Sequence, residues 1–277
     1  MQKTGILAKN FIHILRNGAF NESKPIGRLS PFKWNQLTLL ATHHNLLVTY
    51  ANGLEKYYYN DNFNIRQNEI DTIKAKLQEV PRHGFSDLYD FNQIHLHNKQ
   101  LDTKLQQIIQ KEYTDEERSY PTMQLMAIIV VATNQILTGK SYIRAIIDLG
   151  RYLRIDGDHV DFIKLEKWLR LTRLTNMANL QGNMLVNVFG FSPEEIPFIT
   201  KPYDKAYDIM LKGLRYDDIH LLKTWAFHQN KSGFIVSSPK TAFKSIRHSM
   251  NFYRYAPKET LSSISRGILK GLAEIEE

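Results

Sequence analysis

Cysteine is absent from the 277 residues, which excludes disulfides, thiolate nucleophiles and cysteine-ligated zinc. Glycine and proline are sparse, 14 and 9, and the glycines nowhere form the dinucleotide or P-loop fingerprints whose backbone amides cradle phosphates. Neither a Gly-x-Ser-x-Gly elbow nor a His-Glu-x-x-His helix is present. The longest unbroken apolar run, Leu125–Ala132, falls far short of the roughly 20 residues that a bilayer crossing needs, so no membrane span is expected. Near the amino end, Ile6, Leu7, Phe11, Ile12, Ile14 and Leu15 are interrupted by polar residues, and no small-residue cleavage site follows. This segment predicts an amphipathic helix rather than a secretion signal or an anchor, and a cytoplasmic setting fits. Repeats of fixed length and low-complexity runs are also missing.

What remains is helical period almost throughout. The stretch Thr122–Leu153 is the most apolar: from Met123 to Leu137 apolar residues occupy nearly every face, as in a helix buried on most sides. Thr138 and Gly139 supply a stop, and Tyr142, Ile143, Ile146, Ile147, Leu149 and Leu153 resume the period, so the pair predicts a helical hairpin. Ser30-Pro31, Ser192-Pro193, Ser238-Pro239 and Pro257 mark helix starts, where serine caps free amides and proline tolerates the first position. Gly18 to Gly27 reads as loop, and Trp34 to Leu54 as one continuing apolar face. The weakest helical signal is Arg82 to His97, where Phe91, Ile94 and Leu96 suit strand positions. The expected fold is mainly α, a multi-helix bundle with room for a small β-hairpin or strand remnant near residues 85–97. It reads as one helical domain over 1–277, divisible into N-terminal helices (1–80) and a main body (98–277) at the change of charge and pattern between them.

The net charge of +8 sits at the ends: residues 1–60 and 201–277 each carry +5, whereas 61–120 carry −3. Basic ends attract phosphates, but these lysines and arginines are scattered among apolar positions, as on the solvated faces of ordinary helices. Nucleic acid is therefore not the favoured partner. An unidentified protein or a small molecule is.

Several short patterns invite chemistry. Thr138-Gly139-Lys140-Ser141 imitates the end of a phosphate loop, yet Asn134 stands where the loop needs its first glycine. Asp156, Asp158 and Asp161 suggest calcium, but Asp161 and Lys167 occupy positions that require glycine and glutamate, so a helix start with Asp158 as cap is the better reading. His43 and His44 are adjacent, pointing about 100° apart on a helix, so one should be packed and the other exposed. On a strand His95 and His97 would share a face, a two-histidine arrangement with no third ligand in view. Arg144 and Asp148 lie four apart on one helical face, as an ion pair or as a partly buried pair that orients a neighbour. These six residues are the ligand-binding candidates. No catalytic residue, metal or cofactor is expected.

Trp34, Leu37, Ala41 and His44; Ile94, His95, Leu96 and His97; Arg144 with Asp148; and the tail from Phe252 to Leu261 together resemble a bacterial family of uncharacterised nucleotidyltransferase-like proteins. The resemblance implies magnesium held by acidic residues on adjacent strands, signalled by Gly-Ser or Gly-Gly and then Asp-x-Asp. The corresponding space, Asn64 to His97, contains neither, and Asp87 and Asp90 have the wrong spacing to share a strand face. The expectation is a mostly helical relative that has lost the catalytic sheet and binds a partner or small ligand between helices. The alternatives are an enzyme whose site the sequence does not display and a nucleic-acid binder using the basic ends.

Overall fold

The computed structural model describes residues 5–57, 63–80, 88–214 and 239–276. Among them are twelve α-helices and no strand. The chain divides into two compact units, 1–83 with 207–227 and 84–206 with 228–277.

The first unit is built on α1 (Ile6–Phe20), α2 (Pro31–His43), α3 (Leu47–Glu55) and α4 (Gln67–Glu79). Ser30 Oγ accepts the Lys33 amide at 3.4 Å, fixing the start of α2 as the Ser-Pro pair predicts. Phe11, Ile14 and Leu15 of α1, Trp34, Leu37 and Leu40 of α2, and Tyr50 and Leu54 of α3 make the core. Two expectations need correcting. The face from Trp34 to Leu54 is broken, because Asn45 takes the left-handed conformation (φ 54°) and separates α2 from α3. Gly18 lies inside α1 and not in a loop. A Cβ there would sit inside the van der Waals radius of the Thr49 carbonyl, and one on Gly53 would do the same to the Ile14 carbonyl. These glycines let α1 and α3 approach at backbone distance. The loop after α1 is fastened by two buried asparagines about two turns apart on one helix face: Asn10 exchanges bonds with Gly27 at 2.9 and 3.3 Å, and Asn17 with Lys24 at 2.7 and 3.0 Å.

The second unit surrounds α6 (Tyr120–Thr138), against which α7 (Ile143–Asp156), α8 (Phe162–Leu171), α9 (Thr175–Met184), α11 (Pro239–Met250) and α12 (Pro257–Glu276) pack; α5 (Lys99–Thr114) rests on α8. α6 is the one helix among the described residues long and apolar enough to cross a membrane by length and composition, and 67% of its most apolar window is buried in the fold. Leu125, Ile128, Ile129, Val130 and Ile136 are fully enclosed. Gly139 ends α6 at φ 70°, with the Lys140 amide returning to the Gln135 carbonyl at 3.0 Å, and α7 folds back beside it. The cap of α8 is Asp161, which accepts the Lys164 amide at 2.9 Å, rather than Asp158, which belongs to a single 3₁₀ turn. Ser192-Pro193 starts only another 3₁₀ turn, although Glu195 does reach back to the Ser192 amide at 2.7 Å. α10 (Ala206–Gly213) begins where the first unit resumes.

Of the expected strand remnant, residues 88–97 are described: Leu88 is helical and 89–97 are turn and irregular backbone. Their hydrogen bonds go to side chains: Gln124 donates to the Tyr89 carbonyl at 3.0 Å, Gln106 to Ile94 at 2.9 Å and Asn134 to His95 at 2.7 Å. With the backbone satisfied by helices, no partner strand is required.

Candidate functional site

The six candidate residues fall into three separate settings. His43 and His44 lie in the first unit at the end of α2, their rings 5.0 Å apart and edge to face. His43 is exposed and His44 is buried. Burial first, and the neighbouring His43 second, depress the His44 imidazole from 6.5 to about 4, so it is neutral at pH 7. It is a packed residue.

Arg144 and Asp148 stand on α7, with the guanidinium Nε 3.5 Å from Asp148 Oδ2. The carboxylate is nearly enclosed and accepts the Tyr89 hydroxyl at 2.8 Å. Burial pushes the Asp148 carboxyl up, and Tyr89, Arg144 and Arg151 pull it back down. The pair therefore braces the 88–91 turn against α7. Tyr89 carried no sequence signal, because a lone tyrosine in an irregular stretch does not say what its hydroxyl meets.

His95 and His97 face opposite ways, which undoes the shared strand face. The exposed His95 ring meets Asp102 of α5, Nδ1 to Oδ2, at 3.1 Å, and Asp102 also accepts the Leu96 amide at 2.8 Å. His97 points inward. Its backbone amide donates to Glu259 Oε2 at 2.7 Å, and the next amide, Asn98, donates to Glu259 Oε1 at 3.0 Å. Asn98 then caps α5, accepting the Leu101 amide at 3.2 Å, and donates to Ser262 of α12 at 3.0 Å. A carboxylate from α12 thus holds the entry to α5 in one position. Burial raises the Glu259 carboxyl, and the two amides it accepts oppose that rise.

Both ring nitrogens of His97 are buried without a hydrogen-bond partner among the described residues. So are Asn134 Oδ1 and Gln135 Oε1, near the end of α6; Asn134 spends its amide nitrogen on the His95 carbonyl, two residues from His97. Leaving a buried polar group unmatched costs about 1–3 kcal/mol, so two on one imidazole call for a reason. Burial, then Arg266 of α12, then Lys140 just past α6, lower the His97 imidazole and keep it neutral at pH 7. Arg266 carried no distinguishing pattern in the sequence, and Glu259 carried one only as a position of the tail from Phe252 to Leu261. Asn134 and Lys140 did, as the two ends of the failed phosphate loop, although what Asn134 holds is the His95 carbonyl.

Among the described residues no three His, Asp or Glu side chains converge as a metal site would need. A cleft of about 320 Å³ lies in the first unit between α2 and α4, lined by residues including Phe32, Asn35, Thr38, Asn68 and Glu69. It contains none of the six candidates. Compared with known proteins, the chain matches no family model, no curated protein and no solved structure.

Proposed function

We propose that this chain is a non-catalytic, mostly helical protein that binds a small ligand beside His97, on a body derived from the helical part of the nucleotidyltransferase-like proteins its sequence resembles. The observation that carries the reading is the pair of buried His97 ring nitrogens, neither of which has a hydrogen-bond partner among the described residues. A structural histidine is normally satisfied by its own fold, as a buried polar group must be. Against catalysis stands the dispersal of the candidates: His44 is packed in one unit, Asp148 is committed to Tyr89, and His95 to Asp102. General acid–base work needs such groups within reach of one reacting atom.

The test is a thermal-shift panel of central metabolites and nucleotides, with and without divalent metal, on the full chain and on His97→Ala. A ligand at 100 times its Kd adds about 2.7 kcal/mol to stability. The expected result is a metal-independent shift that His97→Ala abolishes. A shift by ATP with magnesium, accompanied by turnover of the nucleotide, would overturn the non-catalytic reading.

A further inference from the structure

We propose that the cleft between α2 and α4 binds a small organic cation rich in N–H donors, a guanidinium or an ammonium on a short carbon chain. The cleft lies within the first unit, opens to solvent and shares no residue with the His97 setting, so it stands or falls apart from the reading above. Its volume of about 320 Å³ is at the small end of ligand pockets.

The walls are fixed before any ligand arrives. Asn64, just ahead of α4, accepts the Trp34 indole N–H at 3.2 Å and the Leu29 amide at 3.3 Å, and donates to the Leu29 carbonyl at 2.7 Å, which ties the approach to α4 to the start of α2. Phe63 packs edge-on against Trp34, their ring centroids 5.7 Å apart. A preformed cleft spares a ligand the cost of ordering it. The helix ends here are already served: Ser30 caps α2, and Glu69 Oε2 accepts the Arg66 amide at 2.9 Å, so neither end calls for an anion.

The lining has one sign of charge and one hydrogen-bonding bias. Glu69 is the charged residue in it, and no lysine, arginine or histidine stands among the described residues that line the cleft. Thr38 gives its one hydroxyl proton to the Trp34 carbonyl at 3.2 Å, and Thr72 gives its own to the Asn68 carbonyl at 2.8 Å, so toward the cleft both hydroxyls can only accept. Asn35 and Asn68 are exposed, and their carboxamides can turn an oxygen inward. A ligand that matches a carboxylate and these oxygens must bring N–H groups and a positive charge. Phe32, 63% exposed, supplies the remaining surface, because a cation over a ring face is attracted by its quadrupole. A guanidinium meets all three demands, being flat, positive and furnished with N–H donors.

The experiment titrates the full chain with butylguanidinium, butylammonium, the uncharged isostere butylurea, and butyl phosphate, following the Asn35 and Asn68 side-chain amides by ¹H–¹⁵N NMR. The expected result is a saturable shift with one or both cations at about millimolar concentration, and binding weaker by about fivefold or more for butylurea. Glu69→Gln keeps an oxygen for the Arg66 amide and removes the charge; it should weaken the responding cation by about fivefold and leave the denaturation midpoint unchanged. Phe32→Leu, at an exposed position, should weaken it by about threefold. Butylurea binding as tightly as butylguanidinium, cation affinity unchanged in Glu69→Gln, or shifts produced by butyl phosphate alone would each overturn the proposal. So would four probes that leave both asparagines unmoved. None of these outcomes touches the His97 reading, which the metabolite panel tests.

Discussion

Two regions of the second unit use the same residue type to opposite ends. On α9 and its continuation, Asn179, Asn183 and Asn187 form a ladder along one face that grips residues 200–203. Asn179 takes the Thr200 and Lys201 amides at 2.7 and 3.1 Å and gives to the Lys201 carbonyl at 2.9 Å; Asn183 takes the Tyr203 amide at 2.8 Å; Asn187 gives to the Tyr203 carbonyl at 3.1 Å. Among the described residues, Asn134 at the end of α6 gives one bond, to the His95 carbonyl, and takes none, and His97 makes none through its ring. The first region is closed, each amide working as a substitute peptide bond that satisfies an irregular segment. The second is open. A closed polar network stabilises one conformation, whereas an open one weakens the fold unless something else completes it.

The largest expected effect tests the closed region. Asn179→Leu should lose about 3 kcal/mol in urea denaturation, because it strands the Thr200 and Lys201 amides, while the Lys201 carbonyl keeps its bond from Asn183. A loss under about 1 kcal/mol would mean the ladder is ornamental and the contrast is false. Next comes acid. The folded value of His44, about 4, lies below the free 6.5, so on acidification the unfolded chain takes up its proton first. Stability contributed by the neutral ring is then present above pH 6.5 and is lost as the pH falls toward 4. The expected drop from this group between pH 7 and pH 5 is about 2 kcal/mol. Asp148 and Glu259, both raised, act in the opposite sense: the folded chain holds their protons more tightly, so they favour folding as the pH falls. Comparing the pH profile of the protein with that of His44→Leu isolates the histidine; identical slopes would refute its buried, neutral state. The smallest effect belongs to the open region. His97→Leu removes two unmatched nitrogens and breaks no side-chain bond among the described residues, so stability should rise or, at most, fall by about 1 kcal/mol. A loss like that of Asn179→Leu would give His97 a structural role.

Helix starts and stops were legible because they depend on a few neighbouring residues: Ser30 caps α2, and Gly139 and Gly190 take left-handed conformations at helix ends. The mainly helical class followed from the 3.6-residue period, and the buried α6 from its lack of a polar face. Features set by distant partners were not legible. Gly18 reads as a loop residue until the carbonyl of Thr49 is known to lie against it. Asn10, Asn17 and Asn179 look like solvent-facing polar positions on amphipathic helices, and only the returning loops turn them into buried hubs. Of the candidate site, His97 was marked, but on a strand it would have pointed the same way as His95. Its setting depends on Glu259, 162 positions away, which no local pattern could supply.

The contact of α1 with α3 has one more consequence. Because Gly18 and Gly53 bring backbone against backbone, sliding either helix by a single position would drive Asn17, Ala19, Asn52 or Leu54 into a carbonyl group. The two helices thus have one alignment, and it is the alignment in which Asn10 and Asn17 meet Gly27 and Lys24. Register between segments some 35 positions apart in the chain is enforced by the absence of side chains, a selectivity that survives changes in salt and pH because it involves no charge.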